Sequence, residues 1–307
     1  MNNTNTTVAV IGLGIMGAPM AANLVGAGYQ VVGYNRGQEA IDKLVAAGGK
    51  GATSVADAVQ DADVIVTMVP DSPDVAAVAR GTDDEPGLIA SAKAGATWID
   101  CSTIRPDIAR EVAEDAKAAG LKALDAPVSG GEAGAVEGTL SIMVGGDSGD
   151  LEAVRPILET VGSTVVHVGP SGSGQTVKAA NQLIVAGTIE LVAEALVFLE
   201  AYDVDTTAAV KVLAGGLAGN RILDRKAASM IKREFEPGFR IDLHHKDMGI
   251  VLDSARAAGV AIPLGSQTAQ LVQDLRNLGH GGLDHSALLL LVEQLSGRST
   301  KNEGESR

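Results

Sequence analysis

The apolar positions change their period once along the chain. From Thr7 to about Val168, short runs rich in β-branched residues alternate with Ala-rich stretches whose apolar residues recur at helical spacing. The runs are Val8 to Ile11, Val31 to Tyr34, Val64 to Val69, Trp98 to Cys101, Ala123 to Val128, Ile142 to Val144 and Val165 to Val168. Such alternation predicts a parallel sheet with crossover helices. Turn chemistry at Pro70-Asp71-Ser72-Pro73 and Gly145-Gly146-Asp147 puts loops at the strand ends. After Gly174 the β-like runs stop, and helical patterns follow, broken at Gly215-Gly216, Pro237-Gly238, Gly259 and Gly279 to Gly282. The pattern predicts a doubly wound α/β domain over residues 1–169 and an all-helical domain over residues 170–307. A long helix from about Gly172, apolar through Leu183, Ile184, Ile189, Leu196 and Leu199, joins them.

Gly12-Leu13-Gly14-Ile15-Met16-Gly17 follows the first run directly and opens the helical pattern Ala18 to Ala27. A Gly-x-Gly-x-x-Gly match alone signals only a tight turn, but between strand and helix it describes a Rossmann-type dinucleotide site. There the first glycine permits the turn, the second lets backbone approach a pyrophosphate, and the third lets helix and strand touch. At the end of the second run, where an NAD-preferring site carries an acid, stand Asn35 and Arg36. A guanidinium can pair with a 2′-phosphate that a carboxylate would repel, so NADP(H) is expected, with NAD(H) the alternative. Val69 and Pro70, where the third run passes into a turn, are further candidate cofactor contacts.

Polar residues interrupt the apolar long helix at its head. Lys178 and Asn181 stand three residues apart, on one helical face. Ser129-Gly130-Gly131 ends the Ala123 to Val128 run in a turn whose hydroxyl and N–H groups can converge on a carboxylate. Thr103, just past Asp100-Cys101-Ser102, lies at the sheet edge where ligands of open α/β sheets collect, placed to touch the nicotinamide end. Cys101 reads as a small core residue. Lys246, beside His244 and His245, offers a second cation that would lower the pKa of Lys178 and draw in an anion. Adjacent histidines face different ways, and no metal-ligand spacing occurs elsewhere, so no metal is expected.

Composition narrows the partners. A formal net charge of -14 over 307 residues argues against nucleic acid. The single cysteine forbids an intrachain disulfide and suits a reducing compartment. The start, Met1-Asn2-Asn3-Thr4, lacks a leader pattern, and Glu190 and Glu194 break the long apolar helix below the roughly 18 uninterrupted apolar residues of a membrane span. A cytoplasmic protein without a membrane partner is expected. With 2% aromatic residues, the core must be aliphatic. Helices apolar over more than one face, Leu183 to Leu199 and Ala287 to Leu295, call for deep burial or a second subunit, so a homodimer or homotetramer is expected.

Taken together, Gly12 to Gly17, Asp125 to Gly134, Gly172 to Gln182 and Phe239 to Asp247 resemble the β-hydroxyacid dehydrogenase family over nearly the whole chain. Within it, Gly215 to Gly219, Pro237 to His244 and Asp284-His285-Ser286-Ala287 resemble the 2-hydroxy-3-oxopropionate (tartronate semialdehyde) reductases, with Asn220 and His245 as departures. The resemblance implies NAD(P)H-dependent reduction of a small anionic aldehyde-acid, with Lys178 as general acid/base and Asn181 on the reacting oxygen or a nearby hydroxyl. It also implies that Ser129, Gly130 and Gly131 hold the substrate carboxylate, and that Thr103 and Lys246 complete the cofactor and substrate site. Oxidation of 3-hydroxyisobutyrate or a similar hydroxyacid is the alternative chemistry. A non-catalytic dinucleotide-binding regulator is the alternative class.

Overall fold

The computed structural model describes residues 5–298; the initial Met1-Asn2-Asn3-Thr4 and the polar tail Ser299 to Arg307, expected to fray, lie outside the described residues. The chain divides after Lys178 into two compact units. In the first unit the elements are β1 (Thr7–Ile11), α1 (Gly17–Gly26), β2 (Gln30–Tyr34), α2 (Gln38–Ala46), β3 (Lys50–Gly51), α3 (Val55–Val59), β4 (Val64–Thr67), α4 (Ser72–Arg80) and α5 (Leu88–Ser91). They continue as β5 (Thr97–Asp100), α6 (Pro106–Ala118), β6 (Lys122–Asp125), β7 (Val128–Ser129), α7 (Gly131–Glu137), β8 (Leu140–Gly145), α8 (Ser148–Val161) and β9 (Gly162–Gly169).

The sheet runs in the order β3-β2-β1-β4-β5-β6-β8-β7, with β9 beside β8. Its first six strands are parallel and follow the Rossmann order. β4 and β5 are buried along their whole length, as strands covered on both faces must be. Alternate residues of β1 feed two cores: Val8 and Val10 pack with Leu13, Met20 and Leu24, whereas Ala9 and Ile11 pack with Ile65, Trp98 and Ile104. The sheet is not parallel throughout, because β8 runs antiparallel to β6 and β7. The Ala123 to Val128 run, read as one strand, is two. It breaks at Ala126-Pro127, where proline has no N–H for a ladder bond, and β7 then pairs with Ile142 and Ser141.

α9 (Ser173–Ala201) leaves the first unit and enters the second, which continues with α10 (Thr206–Ala214), α11 (Arg221–Lys232), α12 (Ile241–Ala258), α13 (Pro263–Leu275) and α14 (Leu288–Leu295). In length and composition α9 could cross a bilayer, with a mean hydropathy of 1.9 over its most apolar window. Its apolarity has another use here: Ile189, Val192, Ala193, Leu196 and Val197 pack with Leu223, Met230, Val272, Leu288 and Leu291 in the core of the second unit. Ion pairs tie the same helix down, since Arg233, past the end of α11, reaches both Glu200 and Glu293.

The segments that resemble the reductases interlock within this unit. The Asp284 carboxylate accepts from the Lys226 ammonium at 2.9 Å, the Gly238 and Phe239 N–H groups at 3.0 Å, and the Ser286 hydroxyl at 2.7 Å. Burial opposes its charge, yet the surrounding positive and donor groups outweigh burial and hold the carboxyl below the usual range. Phe239, His244 and His285 stack edge to face and tilted beside it, with His285 Nδ1 3.2 Å from His244 Nδ1. Asn220 accepts from Leu223 N at 2.8 Å as the cap of α11, a role that serine fills equally well.

Glu190 on α9 is buried, its Oε2 has no hydrogen-bond partner, and burial, reinforced by Glu194, raises its pKa to about 7. A raised folded-state pKa means that the native state holds the proton more tightly. Stability is therefore lost as pH rises from the unfolded value of about 4.3 through 7, by up to ~3 kcal/mol. Glu190→Gln is expected to raise the unfolding midpoint at pH 8 and to leave it nearly unchanged at pH 5. An equal shift at both pH values in thermal melts would contradict this.

Candidate active site

The turn between β1 and α1 is set by close backbone contacts. Gly12 has φ +96°, and a Cβ there would run into the Met68 carbonyl; a Cβ on Gly17 would run into the carbonyl of Gly12. Gly14 differs, having nothing within 4 Å of the position its Cβ would take. Next to it, α1 starts at Gly17, with Met16 at the cap position making no side-chain bond and no acid in the first turn. Bare space beside an uncapped helix N-terminus fits a pyrophosphate, so Gly12, Leu13, Gly14, Ile15, Met16 and Gly17 suit a nicotinamide dinucleotide. Asn35 accepts from Leu13 N at 3.1 Å and donates to Gly37 O at 3.3 Å, which gives it a part in holding the turn itself. Arg36 is 82% exposed, with Asp74 4.0 Å away. Val69 donates its N–H to Ser102 Oγ at 3.0 Å, and Pro70 is exposed beside it.

At the carboxyl ends of β5 and β6 a buried polar network meets the head of α9. Asp125, the last residue of β6, accepts from Gly172 N at 2.7 Å and from Gln175 N at 2.9 Å. Gln175 in turn donates to Ser102 O at 2.8 Å and accepts from Ile104 N at 3.1 Å, bracketing Thr103. Lys178, one turn on, is buried and donates to Val128 O at 2.7 Å, beside Ser129. Helix N–H groups that lack intrahelical partners thus find a carboxylate. Burial raises the Asp125 pKa to about 6 against the two backbone donors. Gly172, at φ +88°, abuts the Pro106 carbonyl and Arg110, and Gly174 abuts Met143 O and Asp125. Their missing side chains are therefore explained by protein packing rather than by ligand approach. Because these bonds tie the first turns of α9 to the sheet, the boundary between units falls after Lys178 rather than at the start of the helix.

Ser129, Gly130 and Gly131 follow one another at the turn into α7, with Gly130 at φ +145° and Gly131 at φ +66°. Cys101 is buried in the first core, and burial beside Asp100 pushes its thiol pKa up, leaving no nucleophile.

Within the second unit, Asn181 Nδ2 donates to Gln182 Oε1 at 2.8 Å, and Gln182 Nε2 donates to Asp247 Oδ2 at 2.6 Å. Lys246 Nζ lies 2.9 Å from the other oxygen, Asp247 Oδ1. Burial and Arg276 lower the His245 pKa. No group of three or more His, Cys, Asp or Glu arranged for a metal occurs among the described residues. Sequence reasoning did not assign Asp125, Gln175, Gln182 or Asp247 a role. The signal was available in part, since Gln175, Lys178 and Gln182 recur at helical spacing on an otherwise apolar helix.

The two glycines of the turn should respond differently to alanine. Gly12→Ala is expected to destabilise the apo protein through the Met68 clash, whereas Gly14→Ala should melt like the parent and bind NADPH at least about tenfold more weakly. Parental affinity of Gly14→Ala in a fluorescence titration would place the pyrophosphate elsewhere.

Known proteins match both halves of the chain. The family described as the NAD-binding domain of 6-phosphogluconate dehydrogenase matches residues 7–169, and that described as NAD-binding of NADP-dependent 3-hydroxyisobutyrate dehydrogenase matches residues 172–292. The chain is 43% identical over 286 residues to 2-hydroxy-3-oxopropionate reductase of Escherichia coli, covering 93% of this chain and 97% of that protein. It is 38% identical to the NAD-dependent L-serine dehydrogenase of Pseudomonas aeruginosa, covering 95% and 99% of the two chains. The solved structure of Mycobacterium tuberculosis 3-hydroxyisobutyrate dehydrogenase with L-serine superposes with a TM-score of 0.84 at 37% identity, covering 92% of this chain and 98% of that one. Glycine turn, strand order, helical second unit and matches over both halves lead to one assignment: the chain belongs to the β-hydroxyacid dehydrogenase family and is an NAD(P)-dependent oxidoreductase.

Proposed function

We propose that the chain reduces 2-hydroxy-3-oxopropionate to glycerate, with NADPH preferred over NADH. The observation that carries the reading is Lys178: a buried lysine at the head of α9, its Nζ held 2.7 Å from Val128 O and next to Ser129-Gly130-Gly131. Burying an ammonium is costly and needs a return, which proton transfer supplies. The dinucleotide, when bound on Gly12 to Gly17 with Thr103, Val69 and Pro70 nearby in the fold's ligand edge, supplies the hydride that converts the aldehyde carbon to an alcohol. Lys178 gives its proton to the carbonyl oxygen and, as the neutral amine, takes one from the alcohol in reverse. Ser129, Gly130 and Gly131 hold the substrate carboxylate, Asn181 hydrogen-bonds the reacting oxygen or a neighbouring hydroxyl, and Lys246 contributes positive charge. The exposed Arg36 just past β2, its guanidinium 4.0 Å from Asp74 and open to solvent, supports a 2′-phosphate.

The relative from Escherichia coli supports this substrate, and the L-serine and 3-hydroxyisobutyrate dehydrogenases define the competing one, oxidation of a β-hydroxyacid. The subunit is proposed to pair with itself through α9, which exposes Val177, Ile184, Leu191 and Phe198 along one stripe at seven-residue spacing. A buried, unpaired thiol as the sole cysteine suits a cytoplasmic setting.

Lys178→Ala is expected to lower kcat by about two orders of magnitude or more while NADPH binding persists. The assay is the nicotinamide absorbance with short aldehyde-acids and β-hydroxyacids against NADPH and NADH. Turnover of Lys178→Ala within a few-fold of the parent would remove the assigned role, and a preference for serine or 3-hydroxyisobutyrate would move the substrate.

A further inference from the structure

We infer that Gln182 is a positioning residue that fixes which way the Asn181 amide faces. Asp247 is buried, and the Lys246 ammonium lies 2.9 Å from its Oδ1, so the carboxylate acts as an acceptor on its other oxygen. Gln182 is also buried, and its side chain meets Asp247 Oδ2 at 2.6 Å; a carboxylate acceptor demands a donor, so the atom there is Nε2. With Nε2 committed, Oε1 occupies the opposite end of the amide. The atom that meets Oε1 at 2.8 Å must therefore be the donor nitrogen of Asn181.

The orientation of two amides, each reversible in shape, is thus dictated by one charge. Reversal of Asn181 would set two carbonyl oxygens against each other at hydrogen-bond distance in a largely buried position, which costs the bond and adds repulsion.

The inference rests on the proposed role of Asn181, and the test separates the two. Four variants are compared with the parent for kcat, KM, NADPH affinity and melting temperature: Asn181→Ala, Gln182→Leu, Gln182→Glu and the double variant Gln182→Glu with Asp247→Asn. Gln182→Leu is expected to lower kcat roughly tenfold or more with NADPH affinity unchanged, because the amide loses its reference. Gln182→Glu sets two carboxylates together and should be worse. The double variant reverses the middle hydrogen bond, with the new amide donating to the new carboxylate, while still presenting an acceptor to Asn181; it should recover kcat well above Gln182→Glu. A merely structural role would track melting temperature and would not predict recovery by reversal of polarity. Parental kcat in Gln182→Leu, or a double variant no better than Gln182→Glu, combined with an impaired Asn181→Ala, would overturn the inference alone. Parental turnover in Asn181→Ala would overturn the role of Asn181 and the inference with it.

Discussion

A helix must satisfy the N–H groups of its first turn, and at the start of α9 a buried carboxylate shares that task with backbone carbonyls. Asp125, the last residue of β6, takes the N–H groups of Gly172 and Gln175 and so joins the end of a strand directly to the start of the helix. Much follows from that junction. It sets where α9 starts, and hence the height at which Lys178 meets Val128 O. It sets Gln175 so that its amide spans Ser102 and Ile104, which fixes the loop carrying Thr103. Gly172 and Gly174 are then required, since any side chain would meet backbone already in contact.

The second unit uses the same device. Asp284 gathers Lys226, two backbone N–H groups and Ser286, and thereby ties the segment before α12 to the segment before α14. Asp247 gathers Lys246 and Gln182 and through Gln182 orients Asn181. In each case donors or a cation gather on a buried carboxylate, although Asp247 Oδ1 meets the Lys246 ammonium as an ion pair without a hydrogen bond, and the geometry is specific even where its net contribution to stability is small. Glu190 is instead a buried carboxyl with a like charge, Glu194, nearby, and its pKa is raised to about 7.

The fold was legible in the sequence because the signals are local and repeated. Gly12 to Gly17 followed a β-branched run and opened a helix, and the change from strand to helical period marked the second unit. The break in the Ala123 to Val128 run was less legible: composition favours strand throughout, and only Pro127 hints that the ladder stops. The antiparallel entry of β8 is set by tertiary pairing that local pattern does not encode. For the site, Lys178 and Asn181 stood out as polar residues on an apolar helix. Asp125, Gln175, Gln182 and Asp247 did not, because their roles depend on partners between 47 and 73 residues away. Asn35, singled out because it stands where an NAD-preferring site carries an acid, also bonds the glycine turn from 22 residues away, a contact invisible to spacing alone.

The central claim is that the Asp125 junction holds Lys178, the proposed general acid, where it can exchange a proton. Its most direct test is kcat of Asp125→Asn at saturating NADPH and substrate, with the unfolding midpoint measured on the same preparation. Asparagine keeps the shape but can offer a carbonyl to only one of the two helix N–H groups and presents its own donor to the other. The account predicts a loss of roughly tenfold or more in kcat in protein that remains folded and binds NADPH. Parental kcat in a folded Asp125→Asn would contradict it.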